Sequence, residues 1–178
     1  RQKQVKRMLA FSSLSHMGYM LVGLGIAVYM GQSAAAAGSF FHVINHGLMK
    51  GLAFLAAGAM LYVLFIKNND HTSPLTISDL GGAARKYPIV AFTLSIAVLG
   101  LAGLPPFAGF MSKWQIFAAG FETQNMAIDL LVIFAALNSV LSLAYYAPVV
   151  NAVYRQEPSE AVTHGTKLPL TMSIPLVV

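Results

Sequence analysis

The stretch Leu101-Ala-Gly-Leu-Pro-Pro-Phe-Ala-Gly-Phe-Met-Ser-Lys-Trp114 sets two adjacent prolines between apolar runs. Proline lacks the backbone N–H that a helix requires, so Pro105 and Pro106 interrupt any helix that runs through them. Seven residues later comes Lys113, whose neighbours are almost all apolar. Inside a bilayer, freed backbone groups persist only where protein or water satisfies them. The stretch therefore predicts a broken helix that lines an internal polar path and carries a buried cation.

The composition around this stretch is that of a membrane protein. The chain is 57% hydrophobic and only 10% charged, with a mean hydropathy of +0.67, whereas a soluble domain has about 25% charged residues. It contains no cysteine, which excludes thiolate metal sites and cysteine-held clusters. We do not interpret the net charge of +5 as nucleic-acid binding. The lipid bilayer is the expected surrounding, and no nucleic-acid partner is expected.

The apolar runs predict an all-α fold, a polytopic bundle of transmembrane helices that forms a single membrane domain over residues 1–178. A bilayer core of about 30 Å needs about 20 apolar residues per helix. The predicted spans are 8–30, 35–66, 88–120 with a break at 103–106, 126–150, and an incomplete one at 168–178. Because the chain opens without methionine and stops inside an apolar run, we expect a fragment of a longer protein.

The basic residues decide whether 88–120 crosses the membrane once or turns back at the prolines. Nine of the eleven lie outside the predicted spans. They are Arg1, Lys3, Lys6, Arg7, Lys67, Arg85, Lys86, Arg155 and Lys167. With a single crossing all nine fall on one face, as the positive-inside rule favours. We therefore predict one interrupted span, with the basic loops on the cytoplasmic, matrix or stromal side.

Lys50 lies near the middle of the second predicted span, roughly 20 Å along the helix axis from either end. A charged lysine at that depth costs at least ~2.5–3.5 kcal/mol, which favours a switchable proton carrier over an inert residue. His42 and His46 precede it at four-residue steps, so the three lie along one side of the helix. This spacing predicts a proton relay, because histidine titrates near neutral pH. A structural ion pair for Lys50, satisfied core histidines, and a metal or haem-ligand pair are the alternatives.

Lys113 carries the same energetic cost on the broken helix, and we expect it to exchange protons. The expected site therefore consists of Lys50, Lys113, His42 and His46. His16 also lies in a predicted span, a few turns into the first helix, where a direct role is the less favoured interpretation. The sequence contains no nucleotide loop, cofactor fingerprint or paired nucleophile and base. We expect no cofactor and no metal in this chain.

Three motifs resemble a known family. They are Val5-Lys-Arg-Met-Leu-Ala-Phe-Ser-Ser-Leu-Ser-His-Met-Gly-Tyr19, Phe41-His-Val-Ile-Asn-His-Gly-Leu-Met-Lys50 and Gly103-Leu-Pro-Pro-Phe-Ala-Gly-Phe-Met-Ser-Lys113. In this order they resemble the antiporter-like, proton-translocating membrane subunits of respiratory complex I. That family includes Mrp-type cation/proton antiporters and subunits of related hydrogenases and dehydrogenases. Asn138-Ser-Val-Leu-Ser-Leu-Ala-Tyr-Tyr146 is most similar to the N-type subunit, called subunit 2 in other nomenclature.

The resemblance implies a fold of about fourteen helices with two inverted repeats, of which this chain would be most of the second. By motif match, Lys50 and Lys113 would belong to a mid-membrane hydrophilic axis, with His42 and His46 beside the first lysine. The implied function is proton translocation by a non-redox subunit of a complex I-like NADH, F(420)H(2) or ferredoxin:quinone oxidoreductase. An Mrp-type cation/proton antiporter subunit is the alternative.

The resemblance also implies where the remaining parts of such a translocase would lie. NADH or another donor, FMN, Fe–S clusters and quinone would be held by partner subunits, and the partners would be other membrane subunits of the assembly. The expected location is the prokaryotic plasma membrane, with the mitochondrial inner membrane or the thylakoid membrane as alternatives.

Overall fold

The computed structural model describes residues 2–176, and its backbone there is helical with no β-strand. The α-helices are α1 Val5–Met30, α2 Ser33–Leu64, α3 Ala83–Lys86, α4 Pro88–Ala102, α5 Ala108–Phe121, α6 Met126–Arg155, α7 Glu160–His164 and α8 Leu170–Ser173. Short 3-10 turns occur at Ile66–Asn68, Ser78–Leu80 and Ile174–Leu176. The predicted all-α class is confirmed.

Three helices in the described part of the chain are long and apolar enough to cross a membrane. They are Val5–Met30, Ser33–Asn68 and Met126–Arg155. The second combines α2 with the 3-10 turn that follows it. Helix α4 is also apolar but has only 15 residues, which gives it a length of about 22 Å. The bounds of the membrane spans themselves stay a prediction.

The proline stretch interrupts the helical backbone between α4 and α5, as the sequence predicts. Helix α4 ends at Ala102, and α5 begins at Ala108 after Phe107 adopts an extended conformation. Gly103 ends the first half with φ of +80°, a left-handed conformation that costs residues with a Cβ roughly 1–2 kcal/mol. The break is therefore encoded by two features, a glycine that permits the turn and two prolines that prevent the helix from continuing.

The described residues form two compact units. The central unit comprises residues 11–49 and 99–144, and the terminal unit comprises residues 2–10, 50–98 and 145–176. The core of the central unit is formed by Ile26, Ala35, Ala119 and Val132. Helices α1 and α2 approach closely there, because a Cβ at Gly23 would lie 3.0 Å from the Ala35 carbonyl oxygen. Small residues permit such packing between membrane helices.

The terminal unit fixes the long polar loop between α2 and α4. The Val5 amide donates to the Leu75 carbonyl at 2.9 Å, and the Ile77 amide donates to the Lys3 carbonyl at the same distance. Gly82 has φ of +63°, and a Cβ there would lie 2.7 Å from the Pro158 nitrogen. The loop is therefore packed against its own unit through backbone bonds and a required glycine, although its sequence is polar.

The outer face of the central unit is strongly apolar. Its exposed large side chains include Phe11, Leu14, Leu21, Phe40, Ile44, Leu48, Met126, Leu130, Phe134, Leu137 and Leu141. Exposed apolar side chains in this number indicate contact with lipid or with another protein, because in water they would drive association. Several polar side chains of the unit are buried instead, among them His16, His42 and Lys113, which is the arrangement expected of helices in a bilayer.

Candidate functional site

Lys113 lies inside the central unit, where its side chain is 3% exposed. Its Nζ donates to the Leu101 carbonyl at 3.1 Å, to the Ala102 carbonyl at 3.2 Å and to Ser139 Oγ at 2.8 Å. Three acceptors match the three N–H donors of an ammonium group. The buried cation that the sequence predicts on the broken helix is therefore fully hydrogen-bonded.

The helix break itself supplies two of these acceptors. In an uninterrupted helix the carbonyls of Leu101 and Ala102 would accept from the amides four residues later, but those positions are Pro105 and Pro106, which have no N–H. Both carbonyls are thus left without their helical donors, and Lys113 takes the donors' place. The proline pair and the lysine therefore depend on each other. The prolines leave two carbonyls without donors, and the buried ammonium donates to both of them.

Helix α6 supplies the remaining acceptor. Ser139 Oγ receives the Lys113 bond and lies 3.4 Å from the Ala102 carbonyl, and Ser142 Oγ donates to the Ser139 carbonyl at 2.6 Å. All three polar groups are buried. A hydroxyl can accept and donate at the same time, so Ser139 can accept from the ammonium while it donates to the Ala102 carbonyl.

His42 on α2 joins two other side chains in the central unit. Its Nδ1 lies 2.8 Å from Ser112 Oγ, and its Nε2 lies 3.0 Å from His16 Nδ1 on α1. In each of these two pairs one atom must donate and the other accept, so the chain Ser112–His42–His16 can exist with its protons directed either way. Such a reversible chain can transfer a proton along its length.

His46 extends this group through ring stacking. Its ring centroid lies 4.7 Å from that of His16, with the two planes inclined by 26°, and 6.4 Å from that of His42. His16 and His42 are likewise stacked, at 5.2 Å. Both ring nitrogens of His42 are hydrogen-bonded, to His16 and to Ser112. Neither nitrogen is therefore available to ligate a haem iron held between His42 and His46.

Tyr19 on α1 lies beside both parts of the site. Lys113 Nζ sits over its ring, 4.8 Å from the centroid, and the ring meets His16 and His42 edge to face. Asn138 Nδ2 on α6 donates to Tyr19 Oη at 3.0 Å. We name the central-unit set of His16, Tyr19, His42, His46, Ser112, Lys113 and Ser139 the polar cluster.

Lys50 belongs to the terminal unit. It is 6% exposed, and its Nζ donates to the Leu9 carbonyl of α1 at 2.5 Å. The sequence places Lys50 one turn after His46 and two turns after His42 on α2, which is continuous from Ser33 to Leu64. The structure thus brings His42, His46 and Lys113 into the polar cluster, and it gives Lys50 a backbone acceptor within its own unit.

Sequence reasoning does not assign several members of the polar cluster to the site of Lys113. His16, Tyr19 and Ser139 come from helices far from Lys113 in the chain, and periodicity does not say which helices pack together. The available signal is a histidine and a tyrosine, three residues apart, within the apolar and small residues 8–28 of α1. Polar residues inside a spanning helix face the protein interior, so both side chains were candidates for the interior of the fold.

The fold and the site define a class of membrane protein, in which a proline-broken helix supports a buried lysine beside interior histidines. The sequence profile of the NADH:quinone oxidoreductase/Mrp antiporter transmembrane family matches residues 1–142. The chain belongs to this family, and it is an integral membrane protein. The resemblance seen in the sequence motifs is thereby confirmed.

Individual relatives agree with this family. F(420)H(2) dehydrogenase subunit N of Methanosarcina mazei is 34% identical, with 99% of this chain and 34% of the relative covered. NADH-quinone oxidoreductase subunit N of Paramagnetospirillum magneticum is 32% identical over the same shares. The chain therefore spans about a third of the length of these curated relatives.

Two solved assemblies contain chains of similar fold. One is the respiratory complex I of Thermus thermophilus with bound aureothin, with a TM-score of 0.68 and 29% identity, covering 99% of this chain and 36% of that chain. The other is the Mrp complex of a Dietzia species, with a TM-score of 0.68 and 25% identity, covering 89% and 27%. The same fold thus occurs in a respiratory complex and in an Mrp complex.

Proposed function

We propose that this chain is part of a proton-translocating membrane subunit of a complex I-like NADH, F(420)H(2) or ferredoxin:quinone oxidoreductase. One observation carries the proposal: the Lys113 ammonium sits on the two carbonyls that Pro105 and Pro106 leave without helical donors. A cation held by neutral oxygens can lose its proton without leaving an unpaired carboxylate behind. The relatives named above, which are subunits of F(420)H(2) and NADH-quinone dehydrogenases, support the same function.

In this proposal Lys113 exchanges protons at one end of the path, and Lys50 relays them in the membrane plane. His42 and His46 pass protons along α2 towards Lys50, because the three follow one another at four-residue steps. The chain Ser112–His42–His16 supplies the hydrogen-bonded route next to Lys113. His16 is thus added to the four residues that the sequence suggests.

The coupling to electron transfer is electrostatic. A charge that arrives near one buried group changes the protonation of the next, because electrostatic interactions between buried groups are strong where water is excluded. This chain performs no redox step. NADH or another donor, FMN, Fe–S clusters and quinone act in partner subunits, and other membrane subunits of the assembly are the direct neighbours. The prokaryotic plasma membrane is the proposed location.

The test uses inverted vesicles that contain the whole complex, with proton uptake and electron-transfer rate measured together. We expect Lys113→Ala and Lys50→Ala each to abolish proton translocation while the complex still assembles. Each substitution removes the amine that carries the proton, and the proposed path has no parallel group that could replace it. Lys3→Ala, a surface lysine of the terminal unit, should change neither quantity. A normal proton-to-electron ratio in Lys113→Ala would refute its role, and a normal ratio and rate in Lys50→Ala would make that lysine structural.

A second candidate function is that of an Mrp-type cation/proton antiporter subunit. The similarity to a chain of the Mrp complex, with the same TM-score as the complex I chain, favours it. In that case the same lysines would exchange protons without a redox partner. Sodium-dependent proton movement in vesicles that receive no electron donor would support the antiporter, whereas strict dependence on a donor would support the dehydrogenase subunit.

A further inference from the structure

Lys113 has an unusual set of neighbours for a buried cation. Among residues 2–176, a salt bridge forms at the surface between Arg85 and Glu157. Within the same residues no carboxylate pairs with Lys113. The contacts of its ammonium are two carbonyls, one hydroxyl and the face of an aromatic ring. The ring belongs to Tyr19, which is itself only 2% exposed.

An aromatic face carries partial negative charge and attracts a cation placed above it. Lys113 Nζ lies 4.8 Å from the centroid of the Tyr19 ring, inside the distance of about 6 Å at which this attraction operates. The effect is strongest where water is excluded, as it is around two buried side chains. The ring face thus adds an electrostatic contact to the three hydrogen bonds of this ammonium.

The ring is also held in place. Asn138 Nδ2 donates to Tyr19 Oη at 3.0 Å, and the next residue on α6, Ser139, accepts from Lys113. Helix α6 therefore fixes both the ring and one of the hydrogen bonds of the ammonium. On its other sides the ring meets His16 and His42 edge to face, at centroid distances of 5.8 and 6.0 Å.

We propose that Tyr19 is the positioning residue for Lys113, with its ring face replacing a carboxylate as the partner of the ammonium. This inference rests on the proposed function, in which Lys113 carries protons. The attraction acts on the charged lysine and disappears when the proton leaves. Tyr19 therefore attracts the protonated lysine and keeps it at the carbonyls, and it no longer attracts the neutral lysine. A fixed negative charge would not release the neutral lysine as completely.

The experiment compares Tyr19→Leu with Tyr19→Phe in the whole complex, in inverted vesicles. Tyr19→Leu removes the ring, and we expect proton translocation per electron to fall by about tenfold. Tyr19→Phe keeps the ring and removes the hydroxyl that accepts from Asn138, so it should recover most of that loss. Tyr29→Leu is the matched control, because Tyr29 lies on the same helix with its side chain exposed.

The pH profile separates positioning from a general packing defect. The titratable groups that face Lys113 and Tyr19 are His16 on α1 and His42 on α2, while α6 presents the uncharged Asn138 and Ser139. The ring acts on the charged form of lysine, and deprotonation of a lysine shapes the alkaline limb of the profile. Tyr19→Leu should move the alkaline limb about one unit towards neutral pH, and a packing defect would lower activity without moving it.

A graded series covers the case in which Tyr19→Leu does not assemble. Phenylalanines with increasing fluorination at position 19 keep the shape of the ring while they weaken its negative face. Translocation should fall stepwise along the series, and the absence of any trend would overturn the inference. So would equal impairment in Tyr19→Phe and Tyr19→Leu, or normal translocation in Tyr19→Leu.

The lysine variant distinguishes failure of this inference from failure of the function. If Lys113→Ala loses translocation while Tyr19→Leu keeps it, only the role of Tyr19 is wrong. If Lys113→Ala translocates normally, the proposed function fails, and the positioning role fails with it.

Discussion

The two buried lysines, Lys50 and Lys113, find hydrogen-bond acceptors for their ammonium groups in different ways. Lys50 lies on the continuous helix α2 and donates to the Leu9 carbonyl, which lies within the uninterrupted helix α1. Lys113 lies just after a break and donates to two carbonyls that no helical amide can reach. An acceptor inside an intact helix is shared with the helix ladder, whereas an acceptor at a proline break is available to a side chain. The comparison shows how a broken helix creates a site for a cation without using a charged partner.

Restoring a continuous helix between α4 and α5 should change proton translocation more than the other substitutions that test this difference. In Pro105→Ala/Pro106→Ala the new amides can claim the carbonyls of Leu101 and Ala102, which Lys113 would then lose. We expect proton translocation to fall by about tenfold or more, since two charge-assisted bonds are removed together. Proton uptake and electron transfer in vesicles measure the result.

Pro74→Ala serves as the control for that variant, because it replaces an exposed proline in the loop of the terminal unit. It should leave both quantities unchanged. If the double variant translocated normally, the contrast between the two lysines would have no functional meaning.

Substitution of Gly103 should have an intermediate effect. Gly103→Ala introduces backbone strain at φ of +80° and places a Cβ about 3.0 Å from Lys113 Nζ. We expect a loss of about 1–2 kcal/mol in the free energy of unfolding and a several-fold loss of translocation. Thermal unfolding in detergent and vesicle assays give the two measurements.

Gly31→Ala is matched to that variant. Gly31 has φ of +67°, and a Cβ there would meet nothing within 4 Å. It should therefore lose a similar amount of stability while it keeps translocation. Equal loss of translocation in both variants would mean that strain alone, and not crowding of the lysine, is responsible.

Removal of one side-chain acceptor should have the smallest effect. Ser139→Ala deletes one of the three bonds of Lys113 and leaves the two carbonyl bonds in place. We expect translocation to fall by about two- to fivefold, because a hydrogen bond contributes about 0.5–1 kcal/mol net. Ser95→Ala is the control, since buried Ser95 donates only to Ala91 within its own helix. A larger loss in Ser139→Ala than in the proline variant would reverse the ranking of the acceptors.

The sequence predicts the local features of this protein better than its long-range contacts. The helix break is predicted by Gly103, Pro105 and Pro106, because the effect of glycine and proline on the backbone is intrinsic. The burial of Lys50 and Lys113 follows from their distance to the ends of the apolar runs, and the all-α class follows from those runs. The membrane spans and the roles of Lys50, Lys113, His42 and His46 stay predictions.

Contacts between helices could not be predicted in this way. Nothing within α1 says that His16 meets His42, or that Tyr19 lies under Lys113, because a single helix carries no information on which neighbour it faces. The loop after α2 is a similar case. Its polar sequence indicates only a surface segment, whereas Leu75 and Ile77 fix it through bonds to residues 3 and 5.

The carbonyl oxygens beneath Lys113 also affect how this site responds to mutation. They are main-chain atoms, so no exchange of side chain at positions 101 or 102 can delete them. A random mutational scan should therefore find positions 101 and 102 tolerant of other apolar residues, in contrast to Tyr19, Gly103, the two prolines and Lys113. Much of the surrounding sequence can drift over generations while the ammonium keeps the same oxygens.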